Sequence, residues 1–121
     1  MAQKRRRLSR SGEFDRVYRD GSSQATRHLV LYSFPRGEDE ESEMRLGVSV
    51  SRKVGGAVER NRVKRTLREA FWALSDRLPS KHDFVLVARP EIGALIEREG
   101  VTGAQASIEE ALSQSGKGRS T

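Results

Sequence analysis

Between residues 58 and 77 the apolar side chains Val63, Leu67, Ala70, Phe71 and Leu74 recur at i, i+4, i+7, i+8 and i+11, a stripe that a helix gathers onto one face. Interleaved with it, Arg60, Arg62, Lys64, Arg65 and Arg68 place five cations within nine residues. The spacing predicts a long helix over Val58 to Arg77, with one side in a core and the other held rigid and positive. Guanidinium groups on a rigid element can grip a polyanion at set intervals, because each donates two parallel hydrogen bonds to a phosphate. Asn61 adds an amide that both donates and accepts. Surface ion pairing is the bland alternative. However, Glu59 and Glu69 are too few to neutralise the five cations, and Arg60 and Lys64 stand one turn apart as like charges. An anionic partner is expected.

Charge elsewhere in the chain supports that expectation. The net charge is +6, but Glu38, Asp39, Glu40, Glu41 and Glu43 form one acidic stretch, outside which 23 basic residues face 12 acidic ones. Besides residues 52 to 68, the excess lies in Lys4, Arg5, Arg6, Arg7 and Arg10. Clustered basic charge favours nucleic acid over a merely solvated face. Cysteine is absent, which excludes a disulfide framework, a thiolate zinc site and a cysteine nucleophile. The basic amino terminus lacks a following apolar run, and no stretch approaches a membrane span, so a soluble cytoplasmic protein without membrane association is expected. At 121 residues the chain is the length of one layered domain.

Along the chain, residues 1 to 8 read as a flexible basic arm. Ser11 can cap a short helix bearing Phe14, Val17 and Tyr18 on one face, ending at Gly21. Arg27 to Phe34 reads as a strand apolar on both sides, with Leu29 and Leu31 alternating with Val30, Tyr32 and Phe34, closed by Pro35. The acidic residues 36 to 43 read as an exposed hairpin connection into a second strand, Met44 to Ser51. There Gly47, Ser49 and Ser51 make one shallow face, beside which Tyr32 could present a ring. A basic turn, Arg52-Lys53-Val54-Gly55-Gly56-Ala57, leads into the long helix. Asp83 to Arg89 encloses a buried apolar strand, and Pro90 opens a helical stretch with Ile92, Leu95 and Ile96 on one face. Thr102 to Gln105 has capping-box spacing ahead of Ala104, Ile108, Ala111 and Leu112, and a mobile tail is expected over 114 to 121. The order α-β-β-α-β-α predicts an α+β domain in which helices cover a small sheet.

The run Leu46-Gly47-Val48-Ser49-Val50-Ser51-Arg52-Lys53-Val54-Gly55-Gly56-Ala57-Val58-Glu59-Arg60-Asn61-Arg62-Val63-Lys64-Arg65 resembles the strand, loop and Arg-Asn-Arg helix of the bacterial ribonuclease P protein family. Upstream, Phe14-Asp15-Arg16-Val17-Tyr18 with Gly21 and then Leu29 to Phe34 are similar to that family's first helix and strand. Downstream, Asp83 to Arg89 with Pro90 resembles its last strand, so the likeness covers about residues 8 to 112. Tyr18 and Arg52 stand where phenylalanine and lysine would be expected.

The resemblance implies a left-handed βαβ crossover, which general rules would not predict, since parallel crossovers are right-handed in about 98% of cases. It also implies that a large RNA carries the catalysis of tRNA 5′ maturation, with no catalytic residue in the protein. Arg52, Lys53, Arg60, Asn61, Arg62, Lys64, Arg65 and Arg68 would contact that RNA, with Lys64 near its junction with the substrate. Phe14, Tyr18, Tyr32 and Val48 would line a cleft for the single-stranded 5′ leader of precursor tRNA. The RNA would hold Mg²⁺, and neither a dedicated metal site nor an obligate protein partner is expected.

Without the family, the helical and strand spacing of the aromatics would read as core. His28 and His82 lack ligand spacing, and no nucleophile-base-acid set stands out. Two other readings use the same basic helix. One is a general RNA chaperone or ribosomal-type binding protein. The other is a DNA-binding domain, disfavoured because no helix-turn-helix pair or zipper precedes the helix.

Overall fold

A computed structural model of the chain describes residues 6–7, 11–35, 44–78 and 82–119, with backbone alone at 6–7, 11 and 115–119. The elements are β1 (Arg6–Arg7), α1 (Ser11–Asp20), β2 (Ser22–Ala25), β3 (Leu29–Pro35), β4 (Arg45–Ser49), α2 (Ala57–Ala73), a 3₁₀ turn (Ser75–Arg77), β5 (His82–Ala88) and α3 (Ile92–Arg119). They form one sheet in the order β1-β4-β5-β3-β2, with helices on both faces. The α+β class is as expected.

The apolar run of β5 is explained by its place at the centre of the sheet. It pairs antiparallel with β3 and parallel with β4, so both its faces are covered. Hence β3 and β4 are not joined as a hairpin: β5 lies between them, and α2 makes the parallel crossover from β4 to β5. On one face Leu29, Leu31, Leu46, Val48, Phe84 and Leu86 meet the predicted stripe of α2 and the apolar side of α3. Thr66 joins that stripe, buried beside Val63 and Leu67. The opposite face carries a smaller cluster in which Val17 of α1 packs on Val85, with Phe14, Tyr32, Phe34 and Val87 around it.

Three boundaries differ from the sequence reading. The polar segment Ser22-Ser23-Gln24-Ala25 is a strand paired with β3, and Thr26 closes the hairpin by accepting the His28 and Leu29 amides at 3.1 and 3.2 Å. Arg6 and Arg7, expected in a flexible arm, pair parallel with Arg45 and Leu46. The terminal helices follow one another directly to Arg119, where a tail was expected from 114. Gly100, at φ 61° and ψ −145°, divides them into 92–99 and 101–119. The acidic connection 38–43, the rest of the basic arm and residues 120–121 lie outside the described residues.

Candidate nucleic-acid interface

Successive residues of α2 turn by 100° about its axis, so its cations fall into three rows rather than one face. Arg60, Lys64 and Arg68 follow one another at i, i+4 and i+8 along one flank. Asn61 and Arg65 stand on the exposed crest. Arg62 lies on the other flank and donates to Glu59 Oε1 at 2.9 Å, so it is compensated within the chain. That flank faces α3, because a Cβ on Gly93 would lie 3.4 Å from the same Glu59 oxygen. Among the described residues, no carboxylate lies within ion-pair distance of Arg60, Lys64 or Arg65, and the buried Nε atoms of Arg60 and Arg62 have no acceptor. Arg68 already interacts within the chain. Arg52 and Lys53 are exposed on the turn between β4 and α2, where the Lys53 amide donates to Ser51 Oγ at 3.3 Å.

On the other face of the sheet, α1 stands on Val17, which is buried against Val85. Phe14 and Tyr18, four residues apart, project together from one side of that contact. The Tyr18 ring meets Tyr32 edge-on at 4.9 Å and Phe14 at 6.3 Å. Pairing brings Tyr32, Val85 and Gly47 into one row and Val30, Val87 and Ser49 into the next; Val85 and Gly47 are buried, so the groove beside the two α1 rings is floored by the half-buried Tyr32, Val30, Val87 and Ser49. Tyr18 remains 38% exposed, and Phe14 and Tyr32 are half-buried. Burial pushes the Tyr18 phenol above its ordinary value of 10.0, against a hydrogen bond with Ser49 that pulls it down, so the ring is neutral at physiological pH. Val48, expected in this groove, points the other way. It shares a row with Leu86 and Leu31 and is buried in the main core, because alternate residues of a strand face opposite sides.

The sequence reading missed the charge cluster on the far side of α1. Asp83 is fully buried, and Arg45 grips it with a fork: Nε donates to Oδ1 and Nη2 to Oδ2, each at 2.8 Å. Arg16 Nη2 donates to Oδ2 at 3.1 Å while its guanidinium lies 4.8 Å from the Phe34 ring centre. Arg45 Nη1 also donates to Glu13 Oε2 at 2.6 Å. The Asp83 carboxylate thereby holds the Arg45 guanidinium still more firmly in its charged form. The available signal was a carboxylate directly heading an apolar strand, where an ion survives only if paired.

Because β4 runs from Arg45 to Ser49 and continues through Arg52 and Lys53 into α2, the charge cluster lies at one end of β4 and the basic turn at the other. Tyr18 and Ser49 therefore meet at the end of β4 that leads into the cationic helix. The ribonuclease P family model matches residues 2–111. The chain belongs to the ribonuclease P protein family. It is 42% identical over 86 residues to the ribonuclease P protein component of Bacillus cereus, covering 71% of this chain and 73% of that one. The Bacillus pumilus component is 38% identical over 96 residues, covering 79% of each. Among solved structures, the Staphylococcus aureus RNase P protein superposes with a TM-score of 0.75 at 31% identity over 93% of this chain and 96% of that one. The Thermotoga maritima protein gives 0.74 at 27%, over 86% and 92%. Membership of the ribonuclease P family makes the chain a protein component of the tRNA 5′-maturation enzyme and implies ribonuclease P RNA as its partner. Among the described residues, no helix is long and apolar enough to cross a membrane.

Proposed function

We propose that the chain serves ribonuclease P as a single RNA-binding domain with two contact surfaces. Its cationic helix, with Arg60, Asn61, Lys64, Arg65 and Arg68 foremost, Arg62 beside them and Arg52 and Lys53 on the preceding turn, binds the catalytic RNA. The groove of Phe14, Tyr18 and Tyr32 receives the single-stranded 5′ leader of precursor tRNA, with Lys64 near the junction of the two. The observation that carries this reading is the partly open Tyr18–Tyr32 ring pair, 4.9 Å apart on a sheet face whose strand leads into Arg60, Lys64 and Arg65, which have no carboxylate partner among the described residues. Aromatic faces stack on unpaired bases with little sequence preference, which suits leaders of varied sequence.

The role is one of position. Contacts to leader and catalytic RNA at once convert two weak encounters into one oriented complex, raising substrate affinity and aligning the bond to be cut. Mg²⁺ supplies charge stabilisation at that bond, with RNA phosphates as its main ligands. Among the described residues, no three His, Cys, Asp or Glu side chains gather as a metal site. The chain acts in the cytoplasm without an obligate protein partner. The deciding experiment mixes it with the cognate catalytic RNA at low Mg²⁺ and follows 5′ processing of precursor tRNA. Stimulation is expected, and its absence would reject the reading in favour of a general RNA-binding role.

A further inference from the structure

The two sides of α1 carry different chemistry about a common pivot. Val17 sits on Val85, and both are fully buried. Glu13 and Arg16, three residues apart, reach down on one side to Arg45 and Asp83. Phe14 and Tyr18 project on the other side, where they wall the aromatic groove. A rigid helix cannot move one side without the other, so a roll that lifts Glu13 and Arg16 from the sheet drives the two rings toward Tyr32.

Charge order also defines where α1 sits along its axis. Acidic Glu13 meets basic Arg45, while basic Arg16 meets acidic Asp83. Sliding α1 by about one turn, roughly 5.4 Å, would pull Glu13 away from Arg45 and Arg16 away from the fully buried Asp83, contacts now made at 2.6 and 3.1 Å. The arrangement thus opposes slippage as well as roll. The apolar cluster around Val17 and Val85 is non-directional, so the ion pairs add the donor-to-acceptor matching that it lacks.

We infer that the Glu13, Arg16, Arg45 and Asp83 cluster fixes the roll and register of α1 and thereby sets the width of the aromatic groove, making Glu13 and Arg16 positioning residues for leader selection. This rests on the reading of that groove as the leader site. Neither residue projects from the groove side of α1, so each acts through Phe14 and Tyr18.

Glu13→Gln is the informative variant, since it removes a negative charge from an RNA-binding protein. Any fall in RNA affinity it causes cannot come from a forfeited phosphate interaction. Its side chain is 25% exposed, and the Arg45 to Asp83 fork stays in place. In the reconstituted holoenzyme, Glu13→Gln and Arg16→Gln should each lower the ratio of precursor to mature tRNA affinity by about three- to tenfold. Affinity for the catalytic RNA should hold or rise in Glu13→Gln. Arg16→Lys, which keeps the charge, should recover most of the ratio. Combining Glu13→Gln with Tyr18→Ala should cost less than the sum of the two, because the first acts through the second. Tyr32→Ala is the control. If it lowers the ratio while Glu13→Gln and Arg16→Gln leave it unchanged, the positioning role is wrong and the leader groove stands. If Tyr32→Ala also leaves the ratio unchanged, the leader groove falls and the positioning role with it.

Discussion

Asp83 and Glu109 are both carboxylates in ion pairs, and their surroundings make them unequal. Arg77 meets Glu109 at 2.6 Å with side chains 62% and 42% exposed, a setting in which water and salt screen the attraction to about 0 to 1 kcal/mol. Asp83 is wholly buried, and removing it would leave the largely buried Arg45 and Arg16 guanidinium groups side by side without the anion they share, with Glu13 still beside Arg45. Asp83→Ala should therefore cost about 3 to 5 kcal/mol in urea unfolding, with Glu109→Ala near the lower limit of detection. A small loss at Asp83 would mean that water enters the pocket and replaces the carboxylate. The place of Asp83 at the head of an apolar strand hinted at burial, but its partners were not legible, because they are 38 and 67 residues away. The α2 stripe was legible, since helical spacing alone specified which residues face inward. Val48 was misplaced for a related reason: alternation shows that two faces exist but not which one meets the helices.

Elements announced by apolar periodicity were found nearly where expected, and those without it were not. β2 is Ser-Ser-Gln-Ala, a strand held by backbone pairing and by Thr26 rather than by any apolar face, so periodicity could not reveal it. Gly21 shows how closely α1 and β3 approach. Its amide closes α1 on the Val17 carbonyl at 2.9 Å, and a Cβ there would lie 2.5 Å from the Ser33 oxygen. Gly100 has open space around it, yet its φ of 61° with ψ of −145° is a conformation that side chains strongly disfavour. Gly100→Ala should thus destabilise the chain by about 1 to 3 kcal/mol through backbone strain alone, read as a lower midpoint in chemical unfolding. An unaffected midpoint would show that the two helical segments can join without the break.

For the molecule as a whole, the proposed reading makes the number of phosphates it neutralises the central quantity. Replacing Arg60, Arg62 and Arg65 together by glutamine should weaken binding to the catalytic RNA and flatten its salt dependence by about 0.7 to 0.9 for each phosphate no longer neutralised. Arg62, already tied to Glu59, should contribute least to that change. An unaltered slope would place the RNA on another surface. The domain's class and its polyanion partner could be read from charge grouping and element order, which are properties of the chain itself. The neighbour relations in the sheet could not, because pairing β3 with β5 across the intervening α2 is a three-dimensional fact.

The same pairing governs how the protein comes into being. β5 is the last strand to leave the ribosome, yet it occupies the middle of the sheet. Until residues 82–88 have been translated, β4 has only the two-residue β1 at its side, and the apolar stripe of α2 has no completed floor to rest on. The nascent chain thus displays its arginines well before they have a fixed spacing. On the reading proposed above, RNA binding through α2 should therefore be complete only once residues 82–88 have been made, which ribosome-stalled chains ending before and after β5 would show.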